Sequence, residues 1–183
     1  MVDQSPLPHP GPMSRTSEQP RVPAAGGHGD SPSERDAAPS SRDILSFLTS
    51  TARTVTFPVR EDGDMVAMVR RGFPVAALDN LVAAVGVPQK EIARAVGIPA
   101  TTLGRRRKNG HLTPMESDQV VRVARLAVMA RAMMAGDTDA ARRWLMTPHR
   151  LLGNETPLCR ASTETGGREV EQLIGQLRHG VFS

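Results

Sequence analysis

The sequence predicts an all-α protein, and three observations carry that prediction. From Asp64 onward apolar side chains recur at helical spacing, so each segment has one apolar and one polar face. Glycine or proline marks nearly every boundary between these segments. Aromatic residues make up only 3% of the 183 residues, with no Tyr, one Trp and four Phe. That is too few for a β-sandwich, or for a protein that stacks single-stranded bases on aromatic rings. The Ala, Leu, Met, Arg and Glu of this chain are instead favoured helix formers.

Residues 1–40 hold eight of the fifteen prolines, four glycines and six serines, with almost nothing to bury. They predict a disordered tail, with a partner-binding arm as the alternative. Three arginines against five carboxylates give the tail a net charge of −2, so the rest of the chain carries +6 of the total +4. A basic folded part fits a polyanionic partner. Ser40 and Asp43 have capping-box spacing ahead of Ile44, Leu45, Phe47 and Leu48, which predicts a short amphipathic helix. Val55, Phe57 and Val59 alternate across Pro58 as one short extended segment, and residues 61–64 read as a charged turn.

Met65, Met68 and Val69 then suit a helix ending at Gly72, and Val75 to Val85 a second one stopped by Gly86. Pro88 opens a third that Gly97 closes. Thr113-Pro114-Met115-Glu116 is a strong start for a long helix running to Ala135: threonine caps, proline fits the first position and glutamate reaches back. Asp137 and Thr156 open two shorter helices, and a last one begins near Thr165 with Val170, Leu173, Ile174 and Leu177 inward.

The residues argue against an enzyme. Cys159 is the sole cysteine, so neither an internal disulfide nor a cysteine-based zinc site can form, and a reducing compartment is the natural setting. The five histidines have no i, i+3 or i, i+4 pair for a metal, and no nucleophile motif appears. Thr165-Gly166-Gly167-Arg168 lacks the spacing and lysine of a phosphate-binding loop and reads as a helix start. Nothing approaches the length of a membrane span, and the N-terminus has no signal-peptide pattern, so a soluble cytoplasmic protein without cofactor or metal is expected.

Gln89 to Gly110, QKEIARAVGIPATTLGRRRKNG, carries most information. Ile92, Val96, Ile98 and Leu103 supply apolar contacts for two short crossed helices, Ala93 is small where they cross, and Gly97 permits a left-handed turn. Six cationic residues against Glu91 give the window a net +5. With Leu103 inward, Thr101, Thr102, Arg105 and Lys108 turn outward as contacts to bases or backbone, while Arg106, Arg107 and Lys108 suit phosphate. Arg106 stands where many such motifs place an apolar residue. A structural helix pair without DNA is the competing reading. In the long helix, the apolar surface from Val120 to Met134 is wide enough to need more than one neighbour, either a second copy or the chain's own modules.

The window resembles a helix-turn-helix of the Xre type. Gly136-Asp137, Ala141, Trp144-Leu145, Thr147-Pro148, Leu152-Gly153 and Pro157-Leu158, followed by Gly166, Val170, Leu173 and Gly180, resemble the toxin-binding domain of Xre/MbcA/ParS antitoxins. Asn154 stands where that family usually has a second glycine, and Gly167 where alanine is common. The resemblance spans about Asp64 to Ser183 and, beyond the compositional tail over 1–40, implies an Xre-like domain over 41–126 and a toxin-binding domain over 127–183. It implies a type II antitoxin that blocks a RES-domain, NAD-consuming toxin and represses its own operon by binding operator DNA, as a homodimer within a larger complex. Carried onto matching positions, Arg168, Gln172, Gln176, Arg178, His179, Gly180, Val181 and Phe182 would face the toxin, with Trp144, Leu145 and Pro148 building the module. A stand-alone helix-turn-helix regulator and a purely toxin-neutralising module are the alternatives.

Overall fold

The computed structural model describes residues 38–49 and 64–180. Regular structure among them is helical: α1 (Ser41–Thr49), α2 (Met65–Arg71), α3 (Ala76–Val85), α4 (Gln89–Ala95), α5 (Ala100–Asn109), α6 (Pro114–Met133), α7 (Thr138–Met146), α8 (Pro157–Arg160) and α9 (Glu164–His179), with a 3₁₀ turn at Arg150–Leu152. Residues 1–37 of the expected tail, the extended segment around Phe57, and Val181 and Phe182 lie outside the described residues.

Most starts are written in a side chain that satisfies an otherwise orphaned N–H, while α3, α4 and α5 begin without a side-chain cap. Ser40 and Asp43 bond reciprocally ahead of α1, and Asp64 accepts from the Val66 N–H at 2.9 Å. Asp64 is thus the cap of α2, and residues 61–63 of the expected charged turn lie outside the described residues. At α6 the box is complete: Thr113 Oγ1 accepts from the Glu116 N–H at 3.2 Å, and Glu116 Oε2 accepts from the Thr113 N–H at 2.7 Å.

The long helix α6 is the centre of the molecule. It packs against α1, α2, α3, α7 and α9, and Val120, Val123, Ala124, Leu126 and Ala130 are essentially inaccessible to water. One continuous core runs from Ile44 in α1 to Ile174 in α9. The wide apolar surface of α6 is therefore covered by the chain's own helices, and the second copy that its width allowed is not needed to bury it. The helix-turn-helix and the C-terminal helices also meet directly, because α4 packs on α8. Trp144 is buried in this module with its ring 5.1 Å from that of His149.

The last helix starts at Glu164, next to the expected Thr165, and Thr163 supplies the cap, its Oγ1 accepting from the Gly166 N–H at 3.1 Å. Arg122 on α6 is 9% exposed, because α9 lies across it. Two glycines in the first turns of α9 allow its close contacts, Gly166 with α8 and Gly167 with α6. A Cβ on Gly166 would run into the Arg160 carbonyl oxygen, and one on Gly167 would come within 2.9 Å of the Arg122 Cδ.

Gly166 and Gly104 therefore predict opposite effects of the same substitution. Gly166→Ala should destabilise by about 1–3 kcal/mol or more, since backbone must move. Gly104→Ala, in open space within α5, should stabilise by about 0.5–1 kcal/mol through helix propensity. Urea unfolding of the two variants checks the contrast.

Candidate functional site

Two separate surfaces carry the residues singled out from sequence. The first is the α4–α5 pair. Ile92, Val96, Ile98 and Leu103 are buried between the helices and the core, the Gly97 φ of 70° makes the turn, and the Ile98 N–H donates to the Ala93 carbonyl at 2.8 Å. Pro99 precedes α5 and gives no side-chain cap, and Leu103 is the only residue of α5 that is buried.

On α5, Thr101, Arg105 and Lys108 are exposed and Thr102 is half-buried. Arg94 and Lys90 on α4 are exposed beside them. Arg106 points elsewhere. Its Nε donates to both oxygens of Glu116, at 2.7 and 3.0 Å, and the two side chains are only 17% and 13% exposed. Arg107 Nη2 lies 2.9 Å from Asp79 on α3. The arginine run thus divides between an outward and an inward set. Its place in a run of arginines made Arg106 a phosphate candidate, and Glu116 and Asp79 lie too far off in sequence for their pairing to be read.

The second surface is α9. Arg168, Gln172 and Gln176, spaced by four, lie exposed on one face, and Arg168 is steadied by Glu164 at 3.1 Å. Arg178 is half-buried, and Gly180, with φ of 65°, ends the helix after His179. Beside this face a polar cleft of about 470 Å³ opens between α6 and α9, lined by Asp118, Arg122, Arg125, Glu164, Arg168 and Glu171 among others. Arg122 lies against its floor, with Nη2 2.8 Å from Glu164, and Arg125 reaches Glu171 at 3.4 Å. The i, i+4 relations of Asp118 with Arg122 and of Glu164 with Arg168 are legible in sequence; the cross-helix pairs are not.

Charge on the acids follows from these partners. Burial opposes the Glu116 charge, but the bonds from Arg106 and from the Thr113 N–H and hydroxyl outweigh it and hold the carboxyl below its ordinary 4.5. The Arg168 hydrogen bond first, then the Arg122 charge, hold Glu164 low as well. No helix among the described residues is long and apolar enough to cross a membrane.

Comparison with known proteins resolves what these two surfaces belong to. Residues 64–125 match the model of the antitoxin Xre-like helix-turn-helix domain, and residues 129–180 that of the antitoxin Xre/MbcA/ParS C-terminal toxin-binding domain. The chain belongs to the Xre antitoxin family. It is 39% identical over 132 residues to "Antitoxin Xre" of Yersinia enterocolitica, covering 72% of this chain and 89% of that protein. A second "Antitoxin Xre", from Photorhabdus laumondii, is 33% identical over 132 residues with the same coverage. The "Prs ADP-ribosylating antitoxin" of a Sphingobium species is 25% identical over 129 residues, covering 66% of this chain and 81% of its own. The α4–α5 surface of this antitoxin thus lies in the helix-turn-helix domain and the α9 surface in the toxin-binding domain, and the two matches meet within α6.

A pH dependence follows from Glu116. Because its folded pKa lies below 4.5, the unfolded chain binds the proton more readily, so its stabilising effect is present above about pH 4.5 and is lost as pH falls through the folded value. The Glu116→Gln variant, which keeps a capping side chain, should lose less stability than wild type between pH 5 and about pH 3, as read from urea midpoints across that range.

Proposed function

We propose that this antitoxin blocks a RES-domain toxin that consumes NAD or uses it for ADP-ribosylation, and that it represses its own operon by binding operator DNA. The observation that carries the reading is the presence, on one continuous core, of an exposed cationic face on α5 and an exposed polar face on α9. The printed name of the Sphingobium relative, an antitoxin described as ADP-ribosylating, supports NAD-linked chemistry for the partner. The antitoxin itself performs no reaction in this reading and works in the cytoplasm.

Arg168, Gln172, Gln176 and Arg178, with His179, Gly180, Val181 and Phe182 beyond them, face the toxin. Arginine, lysine and threonine on α5 suit DNA: Arg105 can make a bidentate contact to guanine, Thr101 and Thr102 can meet a base edge or thymine methyl, and Lys108 a phosphate. Two copies related by a two-fold axis would match a palindromic operator.

Co-expression with the RES-domain product of an adjacent gene should restore growth and yield a stable complex, and deleting residues 178–183 should abolish both. Rescue without loss on deletion would remove the end segment from the interface. Neither rescue nor complex would favour a stand-alone regulator. On the duplex immediately upstream of the antitoxin's own reading frame, Arg105→Ala should weaken binding by about 1–3 kcal/mol and reduce the salt dependence. Wild-type binding that is weak and indifferent to sequence would leave the toxin-neutralising role alone.

A further inference from the structure

We propose that Arg106 and Glu116 position the DNA-facing helix α5 and do not touch DNA, with Arg107 and Asp79 as a second strut. The proposal rests on the reading of α5 as the DNA-facing helix and departs from the sequence pattern, which placed Arg106 among the phosphate contacts.

The argument begins with how little holds α5. Leu103 is its one buried side chain, Gly104 interrupts it without filling any space, and Pro99 offers no side-chain cap. A single leucine fixes the depth of a helix but leaves it free to roll about its own axis. At about 100° per residue, Arg106 lies about 60° to one side of Leu103 and Arg107 about 40° to the other. Thr101, Arg105 and Lys108 gather about the opposite direction, within about 40° of it. The two arginines therefore flank the inward leucine, and each is tied to a different neighbour: Arg106 to Glu116 at the start of α6, Arg107 to Asp79 in the first turn of α3. Roll in either direction would lengthen one of the ties.

The Arg106 tie is the stronger. The one Nε–H of Arg106 is shared between both Glu116 oxygens and the pair is largely shielded from water, whereas the side chains of Arg107 and Asp79 are 50% and 33% exposed. Glu116 is itself fixed, because the same carboxylate accepts from the Thr113 N–H. The recognition helix is thus referred to the cap of the most deeply buried helix. Turning the Arg106 side chain outward to a phosphate would give up both contacts and leave the shielded Glu116 carboxylate with the Thr113 N–H.

The two roles of Arg106 predict opposite signs for one substitution. Were Arg106 a phosphate ligand held back by Glu116, Glu116→Gln would release it, remove a negative charge near the DNA and tighten binding. If the pair positions α5, the same change weakens binding. Gln keeps the capping geometry at this site, so the helix start survives the test. Anisotropy titrations with the duplex upstream of the antitoxin's own reading frame, across a series of salt concentrations, should show Arg106→Gln and Glu116→Gln each weakening binding about tenfold and the double variant no worse than either. Arg106→Lys, a point charge without the fork, should restore part of the loss. In DNA-free protein, α5 amides should exchange with deuterium faster in both Gln variants, while α6 amides beyond its first turn remain protected.

Tighter binding by Glu116→Gln, or an Arg106→Gln loss confined to a salt-slope decrease of about one with α5 exchange unchanged, would overturn the proposal and return Arg106 to the phosphate contacts. Unchanged affinity in both variants would overturn it too. A wild-type protein that does not bind the duplex would instead remove the DNA-facing reading itself, a failure visible before any variant is made.

Discussion

The burial of α6 over most of its circumference is the constraint on which the rest of the structure depends. A helix of 20 residues whose apolar residues spread over most of its circumference cannot sit on a surface. It has to be enclosed, and the chain encloses it with α1, α2 and α3 from its N-terminal part and α7 and α9 from its C-terminal part. The helix-turn-helix and toxin-binding segments consequently share a core rather than standing as two beads on a linker. The contact of α4 with α8 adds a second join, so the first helix of the helix-turn-helix leans on the toxin-binding module.

Polar groups then decide what the core leaves open. Buried polar atoms need partners, and several tie elements together at points far apart in sequence. Asn80 on α3 donates to the Leu48 carbonyl at the end of α1 at 2.8 Å, and the Phe73 N–H donates to Ser117 Oγ on α6 at the same distance. Arg122 does the equivalent for α6 and α9, and its path past the bare Cα of Gly167 explains why a glycine suits that position. The outward faces of α5 and α9 are what remains after these demands are met, which is why both carry polar side chains over a fixed framework.

Local chemistry was legible where it acts over a few residues. The caps at Ser40, Thr113, Asp137 and Thr156 and the left-handed Gly97 follow from side-chain reach and backbone sterics alone, and all are seen. Asn154 was noted as standing in place of a glycine, and its φ of 61° gives the reason: asparagine is among the few other residues that tolerate the left-handed region there. The inward side of Leu103 was also readable, and with it the outward Thr101, Arg105 and Lys108. What misled was Arg106, since an arginine in a basic run looks solvated when the acid that will meet it is ten positions away.

The sequence by itself determined the all-α class, the order of the elements from α1 to α9, most of their starts and stops, and the family, because each of these depends on short-range periodicity, capping and motif spacing. Tertiary structure alone decided that one core joins the two modules, that Arg122 is buried under α9, and that Arg106 turns to Glu116. Those outcomes depend on which helix crosses which, and on the few hydrogen bonds that the crossings bring within reach. Helical periodicity says which side of a helix is buried; only the packed neighbour says whether a charge on the margin of that side meets water or a carboxylate.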